Sequence, residues 1–361
     1  MIYVVSPANY VTGGTETLHQ VADLINHIGY AAKMYYPGAD DAEIPERFKK
    51  YNLEVADHIE DKNENILIIS EIYTHLLKNY KQIRICIWWL SVDFFYSGSI
   101  SKTVSSRMKA HGMVSILYPA AFIYLLIRGK INFNRYKEYR ERYNFENSGK
   151  YFHAYNCEYA HRYVVENGVP ENKTLYLCGP LNQTFFDRAD QIKNTKKLNQ
   201  EKRQNIILYN PKKGRYFTEK IITASKKAGI DAEFIPLQNM SPDQISELMS
   251  RAKIYMDFGE FPGPERIPRE AVTMGCNIIT SRNGAAANDV DVPIPDELKF
   301  EDKKGNIPAI IEKLQDMLEH YENYYPLYDT YRQKVRNQIL LFENNAKMLI
   351  DAIEGLNEDG K

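Results

Sequence analysis

One strand–loop–helix–strand unit in the second half of the chain constrains the fold more than any other stretch. The apolar run Ile254–Met256 predicts a buried strand, and a loop rich in glycine and proline follows it. A short helix is expected from about Ile267 to Gly275, and residues 276–280 predict a second strand. Two strands joined through a helix pair in parallel with a right-handed crossover, so the chain predicts an α/β fold.

The start of this short helix is a candidate anion site. Unpaired N–H groups and the positive end of the helix dipole near Pro268 favour a bound anion such as a diphosphate. Glu270, one turn in, could accept hydrogen bonds from ribose or sugar hydroxyls. The same residues also fit a loop shaped by its prolines and glycines, with Glu270 a solvated acid that suits the dipole. The residues alone leave both interpretations open.

Alternation of apolar strands with helical segments continues along the chain and divides it in two. We predict one parallel sheet between residues 1 and 177 and a second between residues 205 and 300. The polar and charged run 187–204 is predicted to be a linker. It would separate an N-terminal domain, residues 1–186, from a C-terminal domain, residues 205–335. A length of 361 residues suits two domains of ordinary size.

Each predicted domain has a further candidate loop after its first strand. Gly13 and Gly14 precede a helix, where adjacent glycines let a ligand approach the backbone closely. In the second domain, Lys212 and Lys213 follow Asn210 and could neutralise a diphosphate. A tight turn would also explain the glycines, and a solvated turn would also explain the lysines.

Residues 268–284, PREAVTMGCNIITSRNG, resemble the donor-site segment of family 4-like retaining glycosyltransferases (glycosyl transferases group 1). That family has two glutamates separated by seven residues. Glu270 matches the second, Pro262 occupies the place of the first, and Glu265 is the candidate substitute. The resemblance implies the GT-B fold, in which two Rossmann-like parallel-sheet domains face a cleft. It also implies a C-terminal helix, about 336–361, that crosses back to the first domain.

The activity implied by the resemblance is transfer of a sugar from a nucleotide-diphosphate sugar to an acceptor hydroxyl, with retention of anomeric configuration. Fixed cations would take the place of a metal, so no metal or other cofactor is expected. Catalytic roles fall to Glu265, Glu270 and Asp93, although Asp93 could instead cap a helix. The donor site is expected to comprise Gly13, Gly14, Asn210, Lys212, Lys213, Arg266, Glu270, Asn283 and Gly284.

The bulk composition bears on partners and location. A net charge of −1 provides no overall basic field, so no nucleic-acid partner is expected. The four cysteines are widely spaced, and no signal peptide precedes the first strand. We therefore expect a cytoplasmic protein with reduced thiols.

Residues 107–142 combine the most apolar window of the chain, residues 113–127, with basic flanks. The window is shorter than the roughly 20 residues of a spanning helix, and Pro119 lies near its middle. Burial within the domain is the favoured interpretation, and peripheral contact with the inner face of a membrane is the alternative. The alternative would suit a glycan or lipid-linked acceptor in surface polysaccharide or glycan biosynthesis.

Three other functions are compatible with the same architecture. A sugar-nucleotide epimerase with the GT-B fold would need acids and bases that act on the sugar ring. A phosphorylase would carry lysine-bound pyridoxal phosphate, and this chain is short for one. A non-catalytic two-domain protein could close on a nucleotide or sugar without turnover.

Overall fold

The computed structural model describes residues 1–8, 10–39, 42–110, 113–194 and 203–355. The chain divides into two compact units. Unit 1 contains Met1–Met108, Val114–Pro180 and the chain from Gln338 onward, and unit 2 contains Leu181–Asn337.

Unit 1 is built on a six-stranded parallel sheet with the order β2-β1-β3-β4-β5-β6. Its strands are runs of buried apolar residues, because helices and loops cover both faces of a parallel sheet. The strands are β1 (Ile2–Val5), β2 (Ala32–Tyr35), β3 (Ile66–Ser70), β4 (Arg84–Trp89), β5 (Phe152–Tyr155) and β6 (Thr174–Tyr176).

The helices of unit 1 follow its strands. They are α1 (Gly13–His27), α2 (Val92–Phe95), α3 (Ile100–Ala110), α4 (Tyr118–Ile127), α5 (Phe133–Arg140) and α6 (Glu158–Glu166). Four 3-10 segments accompany them, at Glu46–Tyr51, Glu71–Asn79, Ser115–Leu117 and Glu171–Lys173. Thr12 begins α1 with a capping box, in which its side chain accepts from Thr15 N.

Unit 2 has a five-stranded parallel sheet with the order β11-β10-β9-β7-β8. Its strands are β7 (Gln204–Tyr209), β8 (Glu233–Pro236), β9 (Ala252–Asp257), β10 (Asn277–Ser281) and β11 (Lys299–Phe300). Its helices are α7 (Gln183–Asn194), α8 (Arg215–Lys227), α9 (Pro242–Arg251), α10 (Arg266–Thr273), α11 (Ile307–Glu319), α12 (Tyr321–Tyr324) and the start of α13 (Asp329–Gly355). Short 3-10 segments lie at Gly284–Ala287, Asp296–Leu298, Lys304–Asn306 and Tyr325–Tyr328.

Helix α13 starts in unit 2 and ends in the core of unit 1. Its apolar residues there follow helical spacing and are buried with the strands of the six-stranded sheet: Phe342, Ala346, Leu349, Ile350 and Ile353. The predicted α/β architecture, with two parallel sheets and a returning C-terminal helix, is confirmed. The last part of that predicted helix, residues 356–361, lies outside the described residues.

The predicted linker, 187–204, is in part a helix. Helix α7 runs to Asn194 and buries Phe185, Phe186 and Ala189 in unit 2. Arg203 is also part of this unit, because its guanidinium donates to the carbonyl of Met249 at 2.8 Å. The two units therefore separate after Pro180, and residues 195–202 lie outside the description.

The favoured burial of residues 113–127 is wrong. The window forms the 3-10 turn Ser115–Leu117 and α4, and α4 buries only Ala121 and Leu125. No helix in the described part of the chain is both long enough and apolar enough to cross a membrane.

Candidate functional site

Three loops of unit 2 meet at the carboxyl edge of its sheet. They follow the neighbouring strands β7, β9 and β10, whose carboxyl ends point the same way. The chain leaves β7 towards β8 on one side and returns to β9 on the other, so the strand order reverses between β7 and β9. Ligands of open α/β sheets bind at such a reversal.

Backbone contacts hold the three loops together at glycines. Gly214, after β7, has φ +52°, and an added Cβ would lie 2.2 Å from the carbonyl oxygen of Phe258. Gly259, after β9, has φ +114°, and its Cβ would lie 2.5 Å from Gly214 N. Gly284, after β10, has φ +50°, and its Cβ would lie 2.0 Å from Phe261 O. Only glycine permits these approaches without movement of the backbone.

Lys213 lies where the first two loops touch. Its Nζ is 3.2 Å from Glu265 Oε2 and 3.6 Å from Asp257 Oδ2, and its side chain is 17% exposed. The same ammonium lies 4.1 Å from the centroid of the Phe261 ring. Tyr255 donates its hydroxyl hydrogen to Asp257 Oδ2 at 2.8 Å. Asp257 Oδ1 is buried and accepts no hydrogen bond from the described residues.

The charges in this cluster are strongly coupled. Burial raises the pKa of Asp257 and the pKa of Glu265, and the nearby Lys213 ammonium opposes both increases. For Lys213, burial acts to lower the pKa, but Asp257 and Glu265 outweigh it, so the pKa of Lys213 is raised. Lys213 is therefore a cation at neutral pH, and its ammonium is held between Asp257 and Glu265.

Glu265 is the residue before α10 and has an unusual backbone conformation. Its φ is +31°, which is rare for a residue with a side chain, and its side chain makes no cap hydrogen bond to α10. The carboxylate instead pairs with Lys213, while the Glu265 carbonyl accepts from Arg269 Nε at 3.0 Å. Arg266 is the first residue of α10, and Glu270, one turn in, is buried. The helix that was predicted from Ile267 thus begins beside Lys213.

The remaining predicted donor residues of unit 2 surround the same edge. Asn210 Oδ1 accepts from Lys212 N at 3.0 Å and shapes the turn before Lys213, whereas the Lys212 side chain is exposed. Asn283 donates through Nδ2 to Gly259 O at 2.9 Å and to Asp302 Oδ2 at 3.2 Å. Asn283 therefore ties the β10 loop to the β9 loop.

The predicted residues of unit 1 lie on its own sheet edge. Gly13 and Gly14 are the first residues of α1, and a Cβ at Gly14 would meet Thr12 Oγ1 only at 3.9 Å. The fold thus has room for a side chain at Gly14. Asp93 lies in α2 and pairs with Lys102 Nζ at 3.2 Å, and Ser91 caps α2, so the alternative role of Asp93 as a cap is wrong.

No role for Asp257, Tyr255 or Phe261 follows from the sequence motifs. Asp257 directly follows the apolar run Ile254–Met256, and an acid at the end of a buried run is in a costly position without a charged partner. Tyr255 and Phe261 carry no comparable signal, because aromatic residues in and after a buried strand are usually core residues.

Comparison with known proteins supports the fold assignment. No family model and no curated protein matches the sequence. Sucrose-phosphate synthase from Thermosynechococcus elongatus aligns with a TM-score of 0.61 and 13% identity over 99% of both chains. Anabaena Alr3699/HepE, solved in complex with UDP-glucose, aligns with a TM-score of 0.56 and 9% identity over 97% of this chain and 99% of its own. WaaG, a glycosyltransferase of lipopolysaccharide biosynthesis, aligns with a TM-score of 0.51 and 14% identity over 98% of this chain and 100% of its own. The chain has the GT-B fold.

Proposed function

We propose that this protein is a glycosyltransferase that moves a sugar from a nucleotide-diphosphate sugar to an acceptor hydroxyl. The observation that carries the proposal is the position of Lys213, a largely enclosed cation at the strand-order reversal of unit 2, next to the start of α10. Ligands of α/β sheets bind at this edge, and a diphosphate requires a fixed positive group there. The fold shared with HepE and sucrose-phosphate synthase agrees with such a site.

In this proposal, the donor diphosphate lies over Lys213 and the N-terminus of α10, with Lys212 and Arg266 as additional cations. The positive charge would stabilise the negative charge that develops on the leaving nucleotide. Glu270 would accept hydrogen bonds from the ribose or sugar. Asn210, Asn283 and Gly284 would shape the loops around the phosphates and sugar. Asn210 closes the turn before Lys213, whereas Asn283 and Gly284 join the β10 loop to the β9 loop.

The catalytic assignments concern residues of both units. We propose Glu265 beside the anomeric carbon, in place of the acid that Pro262 replaces, and Asp93 on the acceptor side. Gly13 and Gly14 would leave the N-terminus of α1 accessible to the donor phosphate or the acceptor. Retention of configuration is proposed on the resemblance in residues 268–284. The anomeric configuration of the sugar in the transfer product, compared with that in the donor by proton NMR, tests it.

We further propose that fixed cations replace a metal and that no cofactor is needed. Within the described ranges, no group of three or more His, Cys, Asp or Glu side chains is arranged to hold a metal ion. Unchanged turnover in excess EDTA would support this, and recovery of lost turnover by added Mg²⁺ or Mn²⁺ would contradict it.

The donor and the acceptor are proposed as chemical classes. UDP-glucose is bound by HepE, so a uridine diphosphate sugar is the first donor to test. A glycan or lipid-linked acceptor is proposed, with a role in surface polysaccharide or glycan biosynthesis, and no nucleic acid as partner. The location is proposed as cytoplasmic, with contact to the inner membrane surface through residues 107–142, since the four cysteines are widely spaced in the sequence.

A thermal-shift screen against UDP, GDP, TDP, CMP and ADP tests the donor site, because a ligand of the folded state raises the melting temperature. Lys213→Gln and Glu270→Ala are the site variants. Lys226→Gln, an exposed lysine at the end of α8, is the matched control. One diphosphate should stabilise the wild type and the control, and about tenfold more of it should be needed for the site variants.

Turnover then separates the alternatives. Release of free nucleotide from the matching nucleotide sugar supports the transferase. Conversion to an epimeric nucleotide sugar would indicate an epimerase, and binding without conversion in the presence of acceptor extracts would indicate a binding protein. If the nucleotide stabilised the wild type and Lys213→Gln equally, the nucleotide would not bind at Lys213.

A further inference from the structure

An apolar surface in unit 1 is left exposed by the residues that the structure describes. It consists of the turn Ser115–Leu117 and the helix α4, whose ten residues include no charged side chain. Ile116 is 85% exposed and Ile127 is 79% exposed, and Val114, Ile123 and Tyr124 are each more than half exposed. A helix that is apolar on all sides is normally enclosed by protein or lipid. We call this turn and helix the α4 surface.

The α4 surface is supported from below by a small core of its own. Ala121 and Leu125, one turn apart on α4, pack with Val104 and Met108 of α3 and with Ile131. This cluster fixes the helix on the unit, so the remaining apolar side chains project outward from a defined platform. Such contiguous exposed apolar groups mark an interaction site rather than a scattered surface composition.

The chain on both sides of the α4 surface is rich in basic residues. Residues 94–137 contain seven Lys and Arg and no Asp or Glu. Arg107, Arg128, Lys130, Arg135 and Lys137 are exposed, and the Arg128 guanidinium lies 5.6 Å from the centroid of the Tyr124 ring. Apolar side chains with a basic border match a bilayer surface, where acyl chains lie beneath anionic headgroups.

The length of α4 limits how it can enter a bilayer. Ten helical residues extend ~15 Å, about half of the hydrocarbon thickness. The helix can therefore enter one leaflet only. Tyr118 and Tyr124 place hydroxyl-bearing rings on it, and such rings favour the headgroup level.

We propose that the α4 surface docks unit 1 on an anionic phospholipid bilayer, with Ile116 and Ile127 entering the acyl region and Arg128 and Lys130 at the headgroups. The inference deepens the proposed peripheral contact by naming the inserting residues and the lipid charge. It does not depend on the nucleotide site. A second copy of this chain is a poorer occupant, because a two-fold contact through this surface would place basic borders against each other.

Flotation of the full-length protein with vesicles tests the proposal. Vesicles of phosphatidylcholine alone are compared with vesicles that also contain phosphatidylglycerol. The wild type should float with the anionic vesicles, more weakly in high salt and with neutral vesicles. Ile116→Ser/Ile127→Ser and Arg128→Gln/Lys130→Gln should each weaken binding about tenfold.

Two matched pairs control for exposure and charge. Leu340→Ser/Met348→Ser changes exposed apolar residues of α13, and Lys226→Gln/Lys227→Gln changes exposed lysines of α8, so both should float as the wild type does. Failure of the wild type to float, or wild-type flotation of both α4-surface pairs, would overturn the proposal. So would a wild-type dimer that stays off vesicles and becomes monomeric in Ile116→Ser/Ile127→Ser. The nucleotide-induced thermal shift should be unchanged in all four variants, which separates this test from that of the donor site.

Discussion

At the scale of single residues, the contrast between Lys212 and Lys213 defines the candidate site. The two are adjacent in sequence, yet Lys212 is exposed while Lys213 lies between two carboxylates. If all three groups are ionised, Lys213, Asp257 and Glu265 together carry a net charge of −1. In that ionisation state, a diphosphate would bind against one excess negative charge or would displace a carboxylate from Lys213. The Glu265 carboxylate is expected to repel a bound diphosphate. A variant without this charge therefore tests whether the diphosphate binds beside Lys213.

Glu265→Gln should strengthen nucleotide-diphosphate binding and weaken turnover. Loss of one carboxylate beside Lys213 should lower the dissociation constant about threefold to tenfold, because less repulsion opposes the diphosphate. If Glu265 acts at the anomeric carbon, kcat should fall in the same variant. Isothermal titration calorimetry and a nucleotide-release assay measure the two effects. Glu260→Gln, an exposed acid on the same loop, should change neither. Weaker binding by Glu265→Gln would mean that Glu265 holds the donor directly.

A second residue, Glu71 in unit 1, should make stability depend on pH. Burial raises the pKa of Glu71 from its ordinary 4.5 to about 7, although Leu90 N donates to its Oε2 at 3.0 Å. Between these values the folded state keeps a proton that the unfolded state has lost. The neutral carboxyl therefore favours folding below about pH 4.5, and this contribution is lost as the pH rises through about 7.

The corresponding measurement is urea unfolding of the wild type and Glu71→Gln at about pH 5 and about pH 8. Relative to the wild type, Glu71→Gln should gain up to about 3 kcal/mol in unfolding free energy between the two pH values. The comparison cancels the contribution of other groups, including His153, which is buried and whose pKa is lowered to about 4. Glu146→Gln, an exposed acid, should track the wild type. Parallel pH curves for the wild type and Glu71→Gln would show that Glu71 is ionised in the folded protein.

At the scale of elements, the site is an arrangement of loops that touch through their backbones. Gly214 against Phe258, and Gly284 against Phe261, leave no space for a side chain. Asn283 and Ser281 add hydrogen bonds to the carbonyl of Gly259, at 2.9 Å and 2.8 Å. The loops that hold Lys213 are therefore rigidly joined, which keeps its ammonium in place without a bound ligand.

Gly214→Ala should destabilise unit 2 by more than about 3 kcal/mol. The alanine would have to adopt the left-handed backbone conformation of Gly214, and its Cβ would also clash with the carbonyl oxygen of Phe258. Gly229→Ala is the matched control. Gly229 also has a positive φ, +77°, but nothing lies within 4 Å of its added Cβ. The control should cost only about 1 kcal/mol. Urea unfolding measures both variants, and an equal cost at the two positions would mean that the loop backbones can separate freely.

The strands were the most predictable elements, and the contacts between loops the least. Buried parallel strands are apolar runs, so β3 and β9 could be located from composition alone. The topology then placed the Lys213 loop and the Glu265 loop at one edge. Pairing of Lys213 with Glu265 could not be predicted, because it depends on how closely Gly214 lets the loops approach.

Two errors of prediction have a common physical cause. Apolar composition predicted burial of α4, and polar composition predicted a linker at α7. The composition of a segment indicates whether it favours protein or water as its surroundings. Whether the segment is buried also depends on which other elements the fold places beside it. Helix α7 buries Phe185, Phe186 and Ala189 and contacts two helices of unit 2, α9 and α10. Helix α4 leaves most of its apolar side chains exposed.

At the scale of the whole molecule, α13 is a continuous element of both units. Its first turns bury Tyr331 and Val335 in unit 2, and its later turns bury Leu349 and Ile350 in unit 1. The last helix therefore completes the core of unit 1, more than 150 residues after the end of β6, the last strand of its sheet. Unit 1 cannot complete its core until α13 has been made.

Leu349→Ala and Val335→Ala should each destabilise the unit whose core contains the residue. Removing a buried branched side chain costs about 1–4 kcal/mol, because the lost contacts leave a cavity. Hydrogen exchange measured by mass spectrometry should therefore speed up in β1 and β3 for Leu349→Ala, and in β7 and β9 for Val335→Ala. Met348→Ala, at an exposed position of the same helix, should leave both sheets unchanged. Faster exchange in both sheets for either core variant would mean that α13 transmits unfolding between the units, so that the chain unfolds as one cooperative body rather than two.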